Sequence, residues 1–165
     1  PNAVPLFVSV GTLERWNVDP SIHHPSSTLM PFYRDSDTLY DVVAELFNRV
    51  AATPGATDEF ARSGLLIYIH LHDPEAFIAL NGRTRPVRFS YRPDGLQPDL
   101  ELHLPADVLH EVWLGKRRLR DAFFGGEIKT KGSVFKAMQL APLFRQAEAL
   151  YPVVLRAKGL LASAS

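Results

Sequence analysis

Residues 121–140 read Asp-Ala-Phe-Phe-Gly-Gly-Glu-Ile-Lys-Thr-Lys-Gly-Ser-Val-Phe-Lys-Ala-Met-Gln-Leu. Glycines at positions 125, 126 and 132 divide this stretch into the end of a helix, a short strand and the start of a second helix. Phe123 and Phe124 are adjacent and point about 100° apart on a helix, so we expect one to face the sheet and the other the last helices. The polar residues make no catalytic set, so the segment is better suited to enclosing apolar space than to catalysis. Its large apolar residues are Phe123, Phe124, Ile128, Phe135 and Met138.

The composition of the chain is that of a globular domain. The 165 residues are 46% hydrophobic and 22% charged, which predicts one domain with a real core. The 18 basic and 18 acidic residues cancel, so no nucleic-acid partner is predicted. The absence of cysteine excludes disulfides, thiol nucleophiles and thiolate metal sites. No apolar run approaches the roughly 18 residues of a membrane span, and no secretory signal is visible, so we expect a cytoplasmic location.

Apolar periodicity upstream of this stretch predicts helices first and strands afterwards. A 3.6-residue period over 36–52 predicts a helix capped by Ser36 or Asp37, and a shorter helix is expected over about 56–63. Strict alternation over 65–72 then predicts a strand with one strongly apolar face. The strands that follow are expected at about 76–82, 87–91 and 100–104. Their short connections favour an antiparallel meander.

Downstream of the fourth strand the pattern returns to helices. Pro105 suits the start of a helix, and a fifth strand is expected within 127–131. Ser133 is predicted to cap the helix that follows this strand. Pro142 is expected to open the last helix, and Pro152 to kink or stop it.

The order of these elements predicts an α+β fold. It consists of a five-stranded, mostly antiparallel sheet with its helices packed on one face, formed by residues 36–165. Residues 1–35 contain five prolines as well as large apolar residues, so we expect a proline-rich N-terminal arm that packs on the domain. A disordered leader is the alternative.

Three histidines are the strongest candidates for metal chemistry. His70, His72 and His103 fall on the outward face of predicted strands, and three imidazoles would bind zinc if those strands were neighbours. No carboxylate is placed by the sequence to complete such a site. The pattern therefore favours titratable surface histidines and predicts no metal. We also find no G-x-S-x-G elbow, no phosphate loop and no catalytic pair of carboxylates, so an enzyme is not predicted.

A dense group of cations lies just before the opening stretch. It consists of Lys116, Arg117, Arg118 and Arg120. One interpretation is a solvated helix face. The other is transient attraction to an anionic membrane surface, which the neighbouring apolar segment favours.

Four motifs follow one another in the second half of the chain. They are Pro-Asp-Leu-Glu-Leu-His-Leu at 98–104, Leu-Gly-Lys at 114–116, Asp-Ala-Phe-Phe-Gly-Gly-Glu-Ile-Lys-Thr-Lys-Gly at 121–132 and Ala-Met-Gln-Leu at 137–140. Together with the strand at 64–73, they resemble the sterol carrier protein 2 family over about residues 37–145. The combined motif is specific because it sets helix, glycine break, strand, glycine and helix in one register.

The resemblance implies a non-catalytic lipid carrier with no cofactor. The C-terminal Ala-Ser-Ala-Ser lacks a peroxisomal address, which favours the bacterial, stand-alone type. Members of that family hold sterols, fatty acids or fatty acyl-CoA in an apolar tunnel between sheet and helices. Carried over, Gly126 and Gly132 are positions of special backbone geometry. The alternative is a structural or partner-binding domain in which Phe135 and the last helix close the tunnel. Such a domain could form a homodimer. The tunnel residues implied by the resemblance are Leu119, Phe123, Phe124, Ile128, Val134, Met138, Leu140, Leu143 and Phe144.

Overall fold

The computed structural model describes residues 30–161. Its helices are α1 (Ser36–Ala52), α2 (Asp58–Ser63), α3 (Ala106–Trp113), α4 (Leu119–Phe124), α5 (Val134–Ala137) and α6 (Ala141–Ala157), with a 3₁₀ turn at Met138–Leu140. Its strands are β1 (Leu66–His72), β2 (Ala76–Asn81), β3 (Arg88–Ser90), β4 (Leu100–Pro105) and β5 (Lys129–Lys131). The predicted α+β class is confirmed. Most of the predicted N-terminal arm falls on residues 1–29, which lie outside the described range.

Helix α1 has the bounds that its 3.6-residue period predicts, but its cap differs. Asp35 occupies the cap position, and its side-chain oxygen accepts a 2.7 Å hydrogen bond from the backbone N–H of Thr38. The predicted cap at Ser36 or Asp37 is therefore wrong by one or two positions. The Ser36 hydroxyl instead donates to the backbone oxygen of Glu75, just before β2.

The strands are ordered β3-β2-β1-β4-β5 in one sheet. Neighbouring strands are antiparallel except β1 and β4, which run parallel with His70 opposite His103. The sheet is thus mostly antiparallel, as predicted, but the meander expected for the first four strands is wrong. The chain leaves β3 and returns across the sheet, so β4 lies beside β1.

Hydrogen bonds at the start of β4 explain its position beside β1. The Asp99 backbone N–H donates to the backbone oxygen of Leu66 at 2.8 Å, and the Asp99 carboxylate accepts from the Leu66 N–H at 2.9 Å. The Arg83 guanidinium pairs with the same carboxylate at 2.8 Å. These contacts join residues far apart in sequence, which a reading of local turns does not reveal.

The main core lies between one face of the sheet and the helices. Ile67, Ile69 and Leu71 of β1 belong to the same buried apolar cluster as residues from α1, α3 and α6. Leu66 and Tyr68 alternate with them and form a separate small cluster on the opposite face. Full burial of each large aliphatic side chain contributes roughly 1.5–3 kcal/mol, so this layer dominates the stability of the domain.

Two glycines in the opening stretch adopt backbone conformations that other residues rarely adopt. Gly126 has φ +82° and Gly132 has φ +121°, in agreement with their expected geometric role. A side chain at Gly132 would place its Cβ 3.0 Å from the backbone oxygen of Asp99. Gly132 thereby lets the chain after β5 pass close to the start of β4.

Helix α6 continues beyond its internal proline. Pro142 lies in its first turn, as predicted, and Pro152 lies within the helix, which ends only at Ala157. Of the two expected effects of Pro152, a kink or a stop, the stop is wrong. Val154 and Leu155 are completely buried beyond it, and their burial offsets the lost backbone hydrogen bond. Within residues 30–161, every helix is too short or too polar to cross a bilayer.

Candidate functional site

Most of the predicted tunnel residues lie in the layer between sheet and helices. Leu119 and Met138 are half-buried and pack against this layer, and Val134 is also half-buried. The buried members are Phe123, Ile128, Leu140, Leu143 and Phe144. The structure therefore places seven of the nine predicted positions in or against the apolar layer between sheet and helices.

Phe124 lies apart from this layer. Helix α4 has only six residues, and its inner side is occupied by Ala122 and Phe123, which are buried. Phe124 is the next residue round the helix and is 74% exposed. The expectation that it faces the last helices is wrong. Phe135, which was expected to narrow the tunnel, is 86% exposed and also points to solvent.

Trp113 lies at the centre of an aromatic group behind the predicted tunnel residues. Its ring contacts Phe47, Phe144 and Tyr151 at centroid separations of 5.8, 5.4 and 5.3 Å. Its Nε1–H is buried and has no hydrogen-bond acceptor among residues 30–161. Trp113 is a buried residue of α3, but its orphaned donor depends on distant neighbours and gives no sequence signal.

A short hydrogen-bonded chain of neutral groups borders the same core. The Tyr151 hydroxyl lies 2.5 Å from the Tyr33 hydroxyl and 2.7 Å from Nδ1 of His110. Phe32 stacks on the His110 ring with 3.8 Å between centroids. Burial lowers the pKa of His110 to about 4 and raises the pKa of both tyrosines. At neutral pH the three groups are uncharged, and they fasten residues 32–33 to α3 and α6.

A cavity of about 300 Å³ lies elsewhere, at the β3 edge of the sheet. None of the predicted tunnel residues lines it. Arg85 in its wall donates to the backbone oxygens of Gly82 and Ala61, and burial raises the pKa of Tyr91 to about 12. The lining residues are Asn48, Thr84, Arg85, Pro86, Val87, Arg88, Phe89 and Tyr91.

The four cations at 116–120 differ in their contacts. Arg117 is bound to carboxylates, with Glu111 at 2.6 Å and with Glu127 as a second partner. Lys116, Arg118 and Arg120 are exposed. Three of the four cations predicted to meet a membrane therefore face solvent, whereas Arg117 joins α3 to the loop before β5.

The opposite face of the sheet brings together His70, Glu101 and His103, which we call the histidine cluster. His70 and His103 stack with 4.4 Å between ring centroids and 4° between planes. The Glu101 carboxylate lies 2.9 Å from Nε2 of His70. The expectation that no carboxylate accompanies these histidines is wrong. His72 instead contacts Asp73 at 3.2 Å, and burial lowers the pKa of His103 to about 4.

Comparison with protein families identifies the chain. The model described as the SCP-2 sterol transfer family matches residues 45–145, which is more than half of the sequence. The chain belongs to the SCP-2 sterol transfer family. The SCP-2 match begins within α1, includes the whole sheet and the stretch 121–140, and ends in the first turns of α6. It therefore confirms the resemblance that the motifs at 98–140 carry.

Solved SCP-2 structures share this fold. Apo sterol carrier protein 2 from Yarrowia lipolytica is 18% identical, with a TM-score of 0.53 over 67% of this chain and 89% of that one. The sterol carrier protein domain 2 of Helicoverpa armigera is 22% identical, with a TM-score of 0.51 over 66% and 88%.

A ubiquinone synthesis protein, UbiJ-SCP2, is 17% identical to this chain. Its TM-score is 0.52 over 73% of this chain and 98% of that one. At these identities the likeness concerns the SCP-2 fold alone. The comparison with curated proteins gives no match.

Proposed function

We propose that this protein binds and transfers lipids without catalysing a reaction. The proposal includes fatty acids, fatty acyl-CoA and sterol-like molecules, whose apolar part would lie between the sheet and the helices. The observation that carries it is the position of the predicted tunnel residues. In a member of the SCP-2 sterol transfer family, seven of the nine lie in or against the buried core on the helix-covered side of the sheet.

The short elements around Met138 are the part of this layer most suited to admit a ligand. Helix α5 has four residues, and the 3₁₀ turn after it has three, so neither is a long rigid unit. Met138 is half-buried there, and its unbranched side chain adapts to gaps of irregular shape. Each methylene of a ligand buried in this layer would contribute roughly 0.8 kcal/mol.

Trp113 supplies the polar contact that an amphipathic lipid would need. A buried donor without an acceptor costs about 1–3 kcal/mol, which an oxygen atom of a ligand would relieve. Because the Trp113 ring contacts Phe144, a predicted tunnel residue, we propose that its buried Nε1–H is within reach of a ligand in this layer. A ligand with a hydroxyl, carbonyl or carboxyl oxygen is therefore favoured over a pure hydrocarbon.

Titration of the full chain with a fluorescent fatty acid tests the proposal. We expect saturable binding that unlabelled fatty acid displaces. Met138→Glu should weaken binding at least tenfold, because it puts a carboxylate in the apolar layer. Lys116→Glu, which also introduces a carboxylate but at an exposed position, is the matched control and should bind almost normally. Equal losses in both variants, or no saturable binding in the unchanged protein, would refute the proposal.

A second candidate function is a structural or partner-binding domain with a closed tunnel. Complete burial of Leu140, Leu143 and Ala147 favours it, because a filled layer leaves the domain stable without a ligand. Native mass spectrometry of the purified chain separates the two functions. A co-purified lipid supports the carrier, whereas a lipid-free homodimer supports the interaction domain.

We also propose that the segment 116–136 touches anionic membranes during transfer. Phe124 and Phe135 are exposed aromatic side chains in a segment that carries many exposed cations. Aromatic insertion and attraction to anionic headgroups reinforce each other at a membrane surface. These exposed cations are Lys116, Arg118, Arg120, Lys129, Lys131 and Lys136.

Sedimentation with vesicles tests this membrane contact. Binding should be stronger to vesicles containing phosphatidylserine than to pure phosphatidylcholine, and it should weaken with added salt. Changing Phe124 and Phe135 to serine should reduce the bound fraction severalfold. Val153→Ser removes another exposed apolar residue on α6 and should have no effect. If the Val153 variant loses as much binding, the contact is not specific to this segment.

A further inference from the structure

We propose that His70, Glu101 and His103 form a binding site for a divalent transition-metal ion, and specifically for Zn²⁺. This site would lie on the face of the sheet opposite the proposed lipid layer. It is therefore independent of the lipid-binding function.

The parallel pairing of β1 and β4 creates the cluster. His70 and His103 are directly opposite in the register, and Glu101 precedes His103 by two residues on the same face. This is the arrangement in which one strand gives two ligands and its neighbour gives the third. One potential ligand atom from each residue lies within 4.8 Å of the others.

The donor set suits zinc. Two imidazole nitrogens and one carboxylate oxygen are ligands that Zn²⁺ accepts, with water in the fourth position. With bonds of about 2.0–2.2 Å, ligand atoms around tetrahedral zinc lie about 3.3 Å apart. The ligand atoms lie at most 4.8 Å apart, so no pair has to close by more than about 1.5 Å. The two stacked rings must tilt toward a common point.

The exposure of the cluster provides a route for the ion. The side chains of His70 and Glu101 are 33% and 25% exposed, whereas His103 is 7% exposed and forms the inner side. The 2.9 Å contact between His70 and Glu101 already holds two of the donors side by side. Rotation of the His70 ring toward His103 is the main change that binding requires.

Two lysines on the neighbouring edge strand limit the affinity. In the β4–β5 register Lys131 lies opposite Glu101 and Lys129 opposite His103, and both lysines are exposed. Their positive charges repel a dication at the cluster, and Lys131 competes with the ion for the Glu101 carboxylate. Replacing Lys131 with glutamine should therefore strengthen metal binding severalfold, which a chance surface site elsewhere on the chain would not show.

The test is titration of the untagged full chain with Zn²⁺ alone by calorimetry, and with Co²⁺ by visible absorption. We expect one ion per chain. Glu101→Gln keeps the shape of the side chain and should weaken binding by more than the roughly 10–100-fold typical of supporting residues around a metal. His70→Gln and His103→Gln should behave in the same way. Thermal unfolding and fatty acid binding of each variant show whether it remains folded.

His72→Gln is the matched control, because His72 lies on the same strand and face but outside the cluster. It should bind Zn²⁺ like the unchanged chain. A second control replaces His23 and His24, the adjacent histidines near the N-terminus. Absence of stoichiometric binding overturns the site. So does unchanged affinity in Glu101→Gln, or a loss in either control as large as in His70→Gln.

Discussion

The two faces of the sheet are built from the same strands but differ in chemistry. On the helix-covered face, β1 contributes Ile67, Ile69 and Leu71 to the main core. On the opposite face, the alternating residues begin as apolar Leu66 and Tyr68 and end as histidines. One face therefore provides stability and apolar volume, whereas the other carries groups that bind protons or metal ions. A period of two residues is enough to separate these roles.

The largest test of this contrast is a pair of neighbouring truncations in β1. Ile69→Ala should reduce the free energy of unfolding by about 2–5 kcal/mol, because Ile69 is buried in the main core. His70→Ala removes a side chain on the other face that is 33% exposed, and it should cost less than about 1 kcal/mol. Urea unfolding of both variants measures the difference. Similar losses would show that both faces contribute equally to stability.

A smaller test compares one tyrosine hydroxyl on the helix-covered side of the sheet with one on the opposite face. Tyr151→Phe leaves the buried Tyr33 hydroxyl and Nδ1 of His110 without their shared partner, so we expect a loss of about 1–3 kcal/mol.

The control is Tyr68→Phe, on the opposite face. The Tyr68 hydroxyl donates to Asp94 and to the backbone oxygen of Leu96, both on an exposed loop where water can replace it. This variant should lose about 0.5–1.5 kcal/mol. Thermal or urea unfolding of both variants measures these losses in the free energy of unfolding. A larger loss for Tyr68→Phe than for Tyr151→Phe would contradict the contrast between the two faces.

The third test concerns the pH dependence of stability that His110 contributes on the helix-covered side of the sheet. Burial lowers the pKa of His110 to about 4, below the value of about 6.5 expected in the unfolded chain. Between these values the unfolded chain binds the additional proton. The contribution of His110 is therefore complete above about pH 6.5 and is lost as the pH falls toward about 4.

His110→Gln should flatten this part of the stability profile. The slope attributable to His110 is at most about 1.4 kcal/mol per pH unit, and smaller because the ring is partly exposed. Unfolding by urea from pH 7 to pH 4 gives the profiles of both proteins. An unchanged slope in the variant would show that other groups are responsible.

The smallest expected effect concerns Phe135. Because this side chain is 86% exposed, Phe135→Ser should change the free energy of unfolding by less than about 0.5 kcal/mol. Phe123→Ser, at a buried position in the preceding helix α4, should cost several kcal/mol more by the same measurement. A strongly destabilised Phe135 variant would mean that this side chain belongs to the core.

The sequence predicted the features that depend on local pattern. The period of α1, the alternation of β1 and the glycine break at Gly132 each reflect the requirements of a short segment. The family resemblance then supplied the predicted tunnel residues, of which Leu140 and Leu143 are buried. Their role in lining a tunnel stays a prediction.

What escaped prediction depends on contacts between distant residues. The position of β4 beside β1 rests on Asp99 and Leu66, which no turn signal joins. The approach of Glu101 to His70 follows from that register, as does the histidine cluster. The outward position of Phe124 depends on how a six-residue helix meets the sheet, which its apolar character alone could not reveal.

The short outer strands have a consequence for the behaviour of the protein at high concentration. β3 and β5 form the two edges of the sheet, and each is only three residues long. Exposed Arg88 lies on one edge, and exposed Lys129 and Lys131 lie on the other. Short, cationic edges resist the strand-to-strand addition that leads to aggregates and fibrils. A carrier that exposes apolar surface whenever it exchanges a ligand would benefit from this protection against self-association.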